Sequence, residues 1–217
     1  MNNHSSLILA VLVCAALAFA GCTTTGTSAP ATPAPAATLP SLVLTPSDVP
    51  AAYVQTDSRQ KAATDVSELG HSLGWQAGYV VVYTNSSAAT GSQDVIVHTV
   101  TTYSEAGIPD VVGLISKQDR SFSDMSFTDL TVTGLGTHSG GFAGVAHAQP
   151  VVMAEETPRV FSSISLSESP SQGVSGQNFS EVFFAKGSTV EVIRMTGPHA
   201  SGEAVAELAR TAYSKLP

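Results

Sequence analysis

Two pairs of adjacent side chains carry groups that a hydrolase would use. His138 and Ser139 adjoin within a glycine-rich segment, and Glu155 and Glu156 are neighbours farther along the chain. A histidine and a serine could act as base and nucleophile, and paired carboxylates could cleave glycosidic bonds. Adjacent residues rarely form the hydrogen bond that activates a serine, however, and two neighbouring glutamates in a loop diverge. The pattern therefore favours solvated loops over a catalytic site.

The sequence predicts no metal site and no cofactor. The six histidines include no pair four residues apart, which is the spacing that a helical zinc site uses. The glycine-rich segment 134–144 lacks a Gly-Lys-Ser/Thr sequence and is followed by strand-like residues. A phosphate-binding loop would instead precede a helix. We interpret these glycines as a loop or bulge between two strands.

Cys22 indicates covalent chemistry of another kind. It ends the sequence Phe-Ala-Gly-Cys, whose first two residues close an uninterrupted apolar run over residues 7–20. The run is shorter than the ~20 residues that a membrane-spanning helix needs, and it is typical of a signal peptide. Gly21-Cys22 has the form of a lipobox, where the precursor is cut and the new amino-terminal cysteine is lipidated. An ordinary signal peptide cut near Ala20 is the alternative.

These features predict three segments with different roles. Residues 1–21 form the signal peptide, residues 22–40 form a lipidated cysteine with a Thr/Pro/Ala-rich tether, and residues 41–217 form one folded domain. The tether is uncharged, so the net charge of −8 belongs to the domain. An acidic surface without a cluster of Lys and Arg excludes nucleic acid and bare anionic headgroups as partners. We expect a lipid at Cys22 to hold the protein on the outer face of the cytoplasmic membrane.

The periodicity of apolar residues predicts an α+β domain. A mainly antiparallel sheet, with a meander and a carboxy-terminal hairpin around Lys186-Gly187-Ser188, packs against about three helices that include a carboxy-terminal one. The predicted helices are 65–73, 109–120 and 201–215. The predicted strands are 53–58, 78–83, 94–103, 128–134, 141–149, 159–167, 179–185 and 189–195.

Three further residues have candidate roles in the core or at the surface. Trp75, the single tryptophan, is interpreted as a core anchor, with a sugar-stacking platform as the alternative. Asn85 and Asn178 each begin an Asn-x-Ser sequon, where a sugar could be attached.

The chain resembles small surface lipoproteins of methanogenic archaea. The resemblance rests on Phe-Ala-Gly-Cys-Thr-Thr-Thr with its tether, Leu-Thr-Pro-Ser-Asp-Val-Pro at 44–50, Leu-Gly-Trp at 73–75 and Arg-Met-Thr-Gly-Pro at 194–198. More distantly, the order of elements is similar to that of exported PsbP-like domains. The first resemblance implies a lipid anchor, and the second implies an accessory or binding module.

Together these observations favour a lipid-anchored extracytoplasmic domain that binds a small ligand or an envelope partner without catalysis. A surface hydrolase acting on envelope sugars or peptides is one alternative, with His138, Ser139, Glu155 or Glu156 in a site built from loops. A structural component of the envelope is the other.

Overall fold

The computed structural model describes residues 36–87, 92–118, 125–146 and 178–217. Cys22, the predicted signal peptide, Glu155, Glu156 and the predicted strand 159–167 lie outside these residues. Within them, none of the helices is both long and apolar enough to span a bilayer.

A seven-stranded sheet forms the centre of the fold and confirms the predicted α+β class. The strand order is β1-β2-β3-β7-β6-β5-β4, and every neighbouring pair is antiparallel. β3 pairs with β7 rather than β4, so the two halves of the sheet meet at strands that are distant in sequence. The strands are β1 Val54–Gln60, β2 Trp75–Ser87, β3 Ser92–Tyr103, β4 Met125–Asp129, β5 Ser139–Ala146, β6 Asn178–Lys186 and β7 Thr189–Gly197.

Both predicted hairpins are confirmed. β2 and β3 pair from Trp75 to Ser87; β2 extends the predicted strand at both ends, and β3 extends its predicted strand only at the start. β6 and β7 are joined across Gly187, whose φ of +57° requires the left-handed conformation that glycine adopts without steric cost.

The strand predicted over 128–134 is placed differently. β4 ends at Asp129 and begins at Met125, before the predicted start. The residues after Asp129 form an irregular segment, and in it Leu130 and Val132 are half-buried against the core. Their burial accounts for the alternation of apolar and polar residues that predicted a strand. Gly134, with a φ of +90°, takes the chain out of extended conformation.

Among the described residues, three α-helices pack on this sheet: α1 Glu68–Ser72, α2 Ile108–Gln118 and α3 Gly202–Tyr213. α1 is shorter than the predicted 65–73 because its cap is Ser67, whose Oγ accepts from the Gly70 amide at 3.2 Å. The carboxylate of Asp65 instead accepts from the Ala62 amide at 3.0 Å and closes a separate 3₁₀ turn. α3 begins as predicted, with Ser201 as its cap.

The two faces of the sheet bury separate apolar clusters. α3 and residues 39–49, which we call the strap, cover one face, and α2 covers part of the other. The strap begins at Leu39, a fully buried residue within the segment predicted as tether. Its buried side chains are Leu39, Leu42, Val43, Leu44 and Val49.

Candidate functional site

A groove separates the start of α3 from the sheet surface beneath it. This helix groove has a volume of about 320 Å³ and is open to solvent. Its walls are residues of β4, β5 and β6 on one side and Ala200, Ser201 and Gly202 on the other. The polar side chains that line it are Ser126, Thr128, Asn178, Ser180 and Ser201.

The strand register explains why hydroxyl and amide groups collect there. Thr128 pairs with Ala143, and Ala143 pairs with Ser180 on the next strand. Because alternate residues of a strand face the same side of a sheet, Asn178 lies on the same face as Ser180. The small Ala143 between Thr128 and Ser180 leaves the surface concave below the start of the helix.

Ser180 is a buried polar group in this groove whose hydroxyl lacks a hydrogen bond among the described residues. Its side chain is only 1% exposed, and its Oγ has no hydrogen-bond partner among the described residues. Ser201 differs, because its Oγ accepts from the Ala204 amide at 3.2 Å and thereby caps α3. Most buried hydroxyls in proteins are paired, so the unpaired Ser180 marks the groove as a place where a ligand atom could bind.

An aspartate–histidine dyad lies next to the groove, between Asp94 on β3 and His199 in the loop before α3. His199 is the neighbour of Ala200, and its Nδ1 lies 2.7 Å from Oδ2 of the buried Asp94. The other carboxylate oxygen accepts from the His199 amide at 2.9 Å. Gly197 makes this approach possible, because a Cβ there would lie within 2.4 Å of the Asp94 carboxylate.

The dyad fixes which nitrogen of His199 faces solvent. Because Nδ1 lies against the Asp94 carboxylate, Nε2 is the ring nitrogen that is left to face solvent. The His199 side chain is 71% exposed. This arrangement could accept a proton or a hydrogen bond from a ligand at the rim of the helix groove.

A second histidine pair is fully buried beneath the strap. His98 Nδ1 accepts from the Leu44 amide at 3.0 Å, so the ring hydrogen is on Nε2, which lies 2.9 Å from Oε2 of Glu191. Neither side chain of the pair is exposed. Because both ring nitrogens are occupied, His98 cannot act on a ligand, and the pair serves to hold the strap.

Burial raises the pKa of Glu191 above its usual range, against the lowering effect of the hydrogen bond from His98. Desolvation therefore favours the protonated carboxyl.

A smaller groove of about 300 Å³ lies between α2 and β5, and Ser139 lines it. The Ser139 hydroxyl donates to the Gly136 carbonyl at 3.1 Å, and the His138 side chain is exposed. Trp75 lines neither groove. It is half-buried against the apolar cluster beneath α2, and its ring lies 5.5 Å from that of His71. The described residues thus do not bring Trp75, His138 and Ser139 together in one groove.

The remaining candidates are placed as follows. Asn85 is half-buried on β2, opposite Asp94. Asn178 lines the helix groove, and its Nδ2 donates to the Pro198 carbonyl at 3.1 Å. No group of three His, Cys, Asp or Glu side chains converges among the described residues in a way that could hold a metal ion.

Sequence patterns missed Asp94–His199, His98–Glu191 and Ser180. The partners of the first pair are separated by 105 residues and those of the second by 93. Both contacts could have been predicted only with the knowledge that β3 pairs with β7. Ser180 carried one signal, because it shares a strand face with the buried apolar residues Val182 and Phe184.

Comparison with known proteins identifies a fold and no family. No family model and no curated protein matches the sequence. Among solved structures, the extracellular domain of PknH from Mycobacterium tuberculosis is similar, with a TM-score of 0.55 and 9% identity. The match covers 85% of this chain and 99% of that chain. At this identity the similarity concerns the fold alone.

Proposed function

We propose that this protein is a lipid-anchored domain on the outer face of the cytoplasmic membrane, where it binds a ligand or an envelope partner in the helix groove without catalysis. The lipobox-like sequence at Cys22 supports the anchor. The similarity to an extracellular domain is consistent with that location.

The residues that line the helix groove favour binding over catalysis. Its lining consists of hydroxyl, amide, backbone and small apolar groups, and none of the lining side chains ionises near neutral pH. Such a lining can orient a ligand by hydrogen bonds, but it offers neither an activated nucleophile nor a paired acid and base.

One observation favours a hydrolase as the second candidate. The buried Asp94 orients an exposed imidazole, as a general base would require. Turnover of a sugar or peptide substrate by the full chain, lost in His199→Ala, would select this alternative. His71→Ala is the control, because His71 is also exposed but lies in α1.

The anchor is tested by mass spectrometry of the mature protein from its native envelope. We expect Cys22 as the first residue, carrying the mass of a lipid. A mature chain that begins elsewhere, or that has an unmodified thiol at Cys22, would contradict the anchor.

Binding in the groove is tested by site-specific photocrosslinking in intact cells. Thr128 lines the groove on edge strand β4, whereas Thr56 lies on β1 at the opposite edge of the sheet, and both are exposed. A crosslinker at residue 128 should give a discrete adduct that is absent from residue 56. Equal labelling at the two positions would refute the groove as a binding site.

A further inference from the structure

The amino-terminal end of α3 presents unused hydrogen-bond donors to the helix groove. α3 has 12 residues, and its aligned peptide dipoles place partial positive charge at Gly202. Ser201 Oγ satisfies the Ala204 amide, which leaves the Gly202 amide without an acceptor among the described residues. Because Ser201 Oγ is the acceptor in that bond, its own hydrogen can still be donated.

Ser180 adds a donor from the sheet. It faces the same groove from β6, is 1% exposed and has no hydrogen-bond partner for its Oγ among the described residues. A ligand acceptor that reached this hydroxyl would gain a hydrogen bond without breaking an existing one. Helix and strand thus supply independent donors to one small volume.

From these donors we infer that the helix groove binds a carboxylate group of its ligand, between Gly202 N–H, Ser201 O–H and Ser180 O–H. The inference rests on the proposed binding function and names the ligand chemistry. Helix amino termini bind anions through free amides and the dipole, and hydrogen bonds to a charged acceptor are about twice as strong as neutral ones.

The surrounding charges favour a monoanion over a phosphate dianion. The groove lining contains no Lys or Arg to neutralise a second charge. Glu203 in the first turn of α3 and the net charge of −8 oppose multiply charged ligands. A carboxylate at the end of a peptide or on a sugar acid carries a single negative charge, so it needs no Lys or Arg to neutralise a second one and is opposed less by the acidic surroundings.

The test titrates the full chain in detergent with four probes, followed by the NMR signal of the Gly202 amide. N-acetyl-dialanine carries a peptide carboxylate, and its amide is the neutral match. Glucuronate carries a sugar carboxylate, and glucose is its neutral match. We expect a carboxylate probe to bind at least about tenfold more tightly than its neutral match and to move the Gly202 signal downfield. The stronger of the two carboxylates identifies the source of the group.

Ser180→Ala should weaken carboxylate binding about tenfold, while Ser214→Ala, at the opposite end of α3, should leave it unchanged. Folding is checked by the thermal midpoint, which Ser180→Ala should not lower, because the hydroxyl has no partner to lose.

The outcomes separate this inference from the proposed function. Equal affinity for a carboxylate and its neutral match, with the Gly202 signal moving, would contradict the inferred carboxylate site. It would still support the groove as a binding site. Carboxylate binding that Ser180→Ala does not weaken would also contradict the inferred carboxylate site. Absence of binding by all four probes, combined with equal photocrosslinking at residues 128 and 56, would overturn both proposals.

Discussion

The ion pair between Asp48 and Lys215 clamps the strap to the carboxy-terminal end of the fold, and removing its charge is the sharpest test of how the strap is held. Asp48 Oδ2 accepts from Lys215 Nζ at 2.5 Å and from the Thr45 amide and hydroxyl, both at 2.6 Å. Lys215 Nζ also donates to the Val43 carbonyl at 3.0 Å. Asp48→Asn removes the charge with little change in shape.

The size of the effect follows from the pKa of Asp48. Burial acts to raise this pKa, but the hydrogen bonds from Lys215 and Thr45 outweigh it and lower the pKa from 3.8 to about 2. At about 1.4 kcal/mol per pH unit, that difference corresponds to roughly 2 kcal/mol of stability. The Asp48 side chain is 18% exposed, and asparagine retains an acceptor for Thr45. We therefore expect Asp48→Asn to lower the free energy of unfolding by about 1 to 2 kcal/mol near neutral pH.

The pH dependence separates charge from packing. Because the pKa is lower in the folded state, the stabilisation is complete above 3.8, the value expected for the unfolded chain, and disappears as the pH falls toward about 2. Urea unfolding should thus show a gap between wild type and Asp48→Asn near pH 6 that closes as the pH approaches 2. A gap of constant size would refute this reasoning. Asp57→Asn is the control, since Asp57 is 45% exposed and its pairing with Arg59 should contribute little.

Two further substitutions test the buried contacts of the strap. Tyr83→Phe removes the hydroxyl that donates to the Leu44 carbonyl at 2.7 Å and should cost about 1 to 3 kcal/mol in urea unfolding, whereas Tyr79→Phe, whose hydroxyl pairs with Ser58 near the surface, should cost less. Glu191→Gln should flatten the pH dependence of stability: the raised pKa of Glu191 means that wild type loses stability as the pH rises from 4.5 through the folded-state pKa. A slope in Glu191→Gln equal to that of wild type, measured beside the exposed Glu207→Gln, would contradict this assignment.

Local patterns predicted the elements whose signals are complete within a few residues. The β6–β7 hairpin followed from Gly187, and α3 followed from its apolar stripe and the Ser201 cap. The misplaced strand 128–134 shows the limit of such patterns. Leu130 and Val132 alternate like strand residues, but their burial comes from packing against the core rather than from pairing along the whole segment.

The candidate site depended on contacts that no local pattern contains. Asp94 and His199 meet because β3 pairs with β7, which is a property of the complete sheet order. The helix groove likewise requires β4, β5 and β6 side by side beneath the start of α3. Its chemistry could be predicted from sequence only after that topology was known.

The strap also has a consequence for the order in which the chain folds. The Lys215 contacts to Val43 and Asp48 span 172 and 167 residues, so nearly the whole chain of the domain separates the groups that they join. Closing loops of this length carries an entropic cost that only later contacts offset. We therefore expect the contacts of Lys215 to form late in folding, after the Leu44 contacts to Tyr83 and His98, which span only 39 and 54 residues.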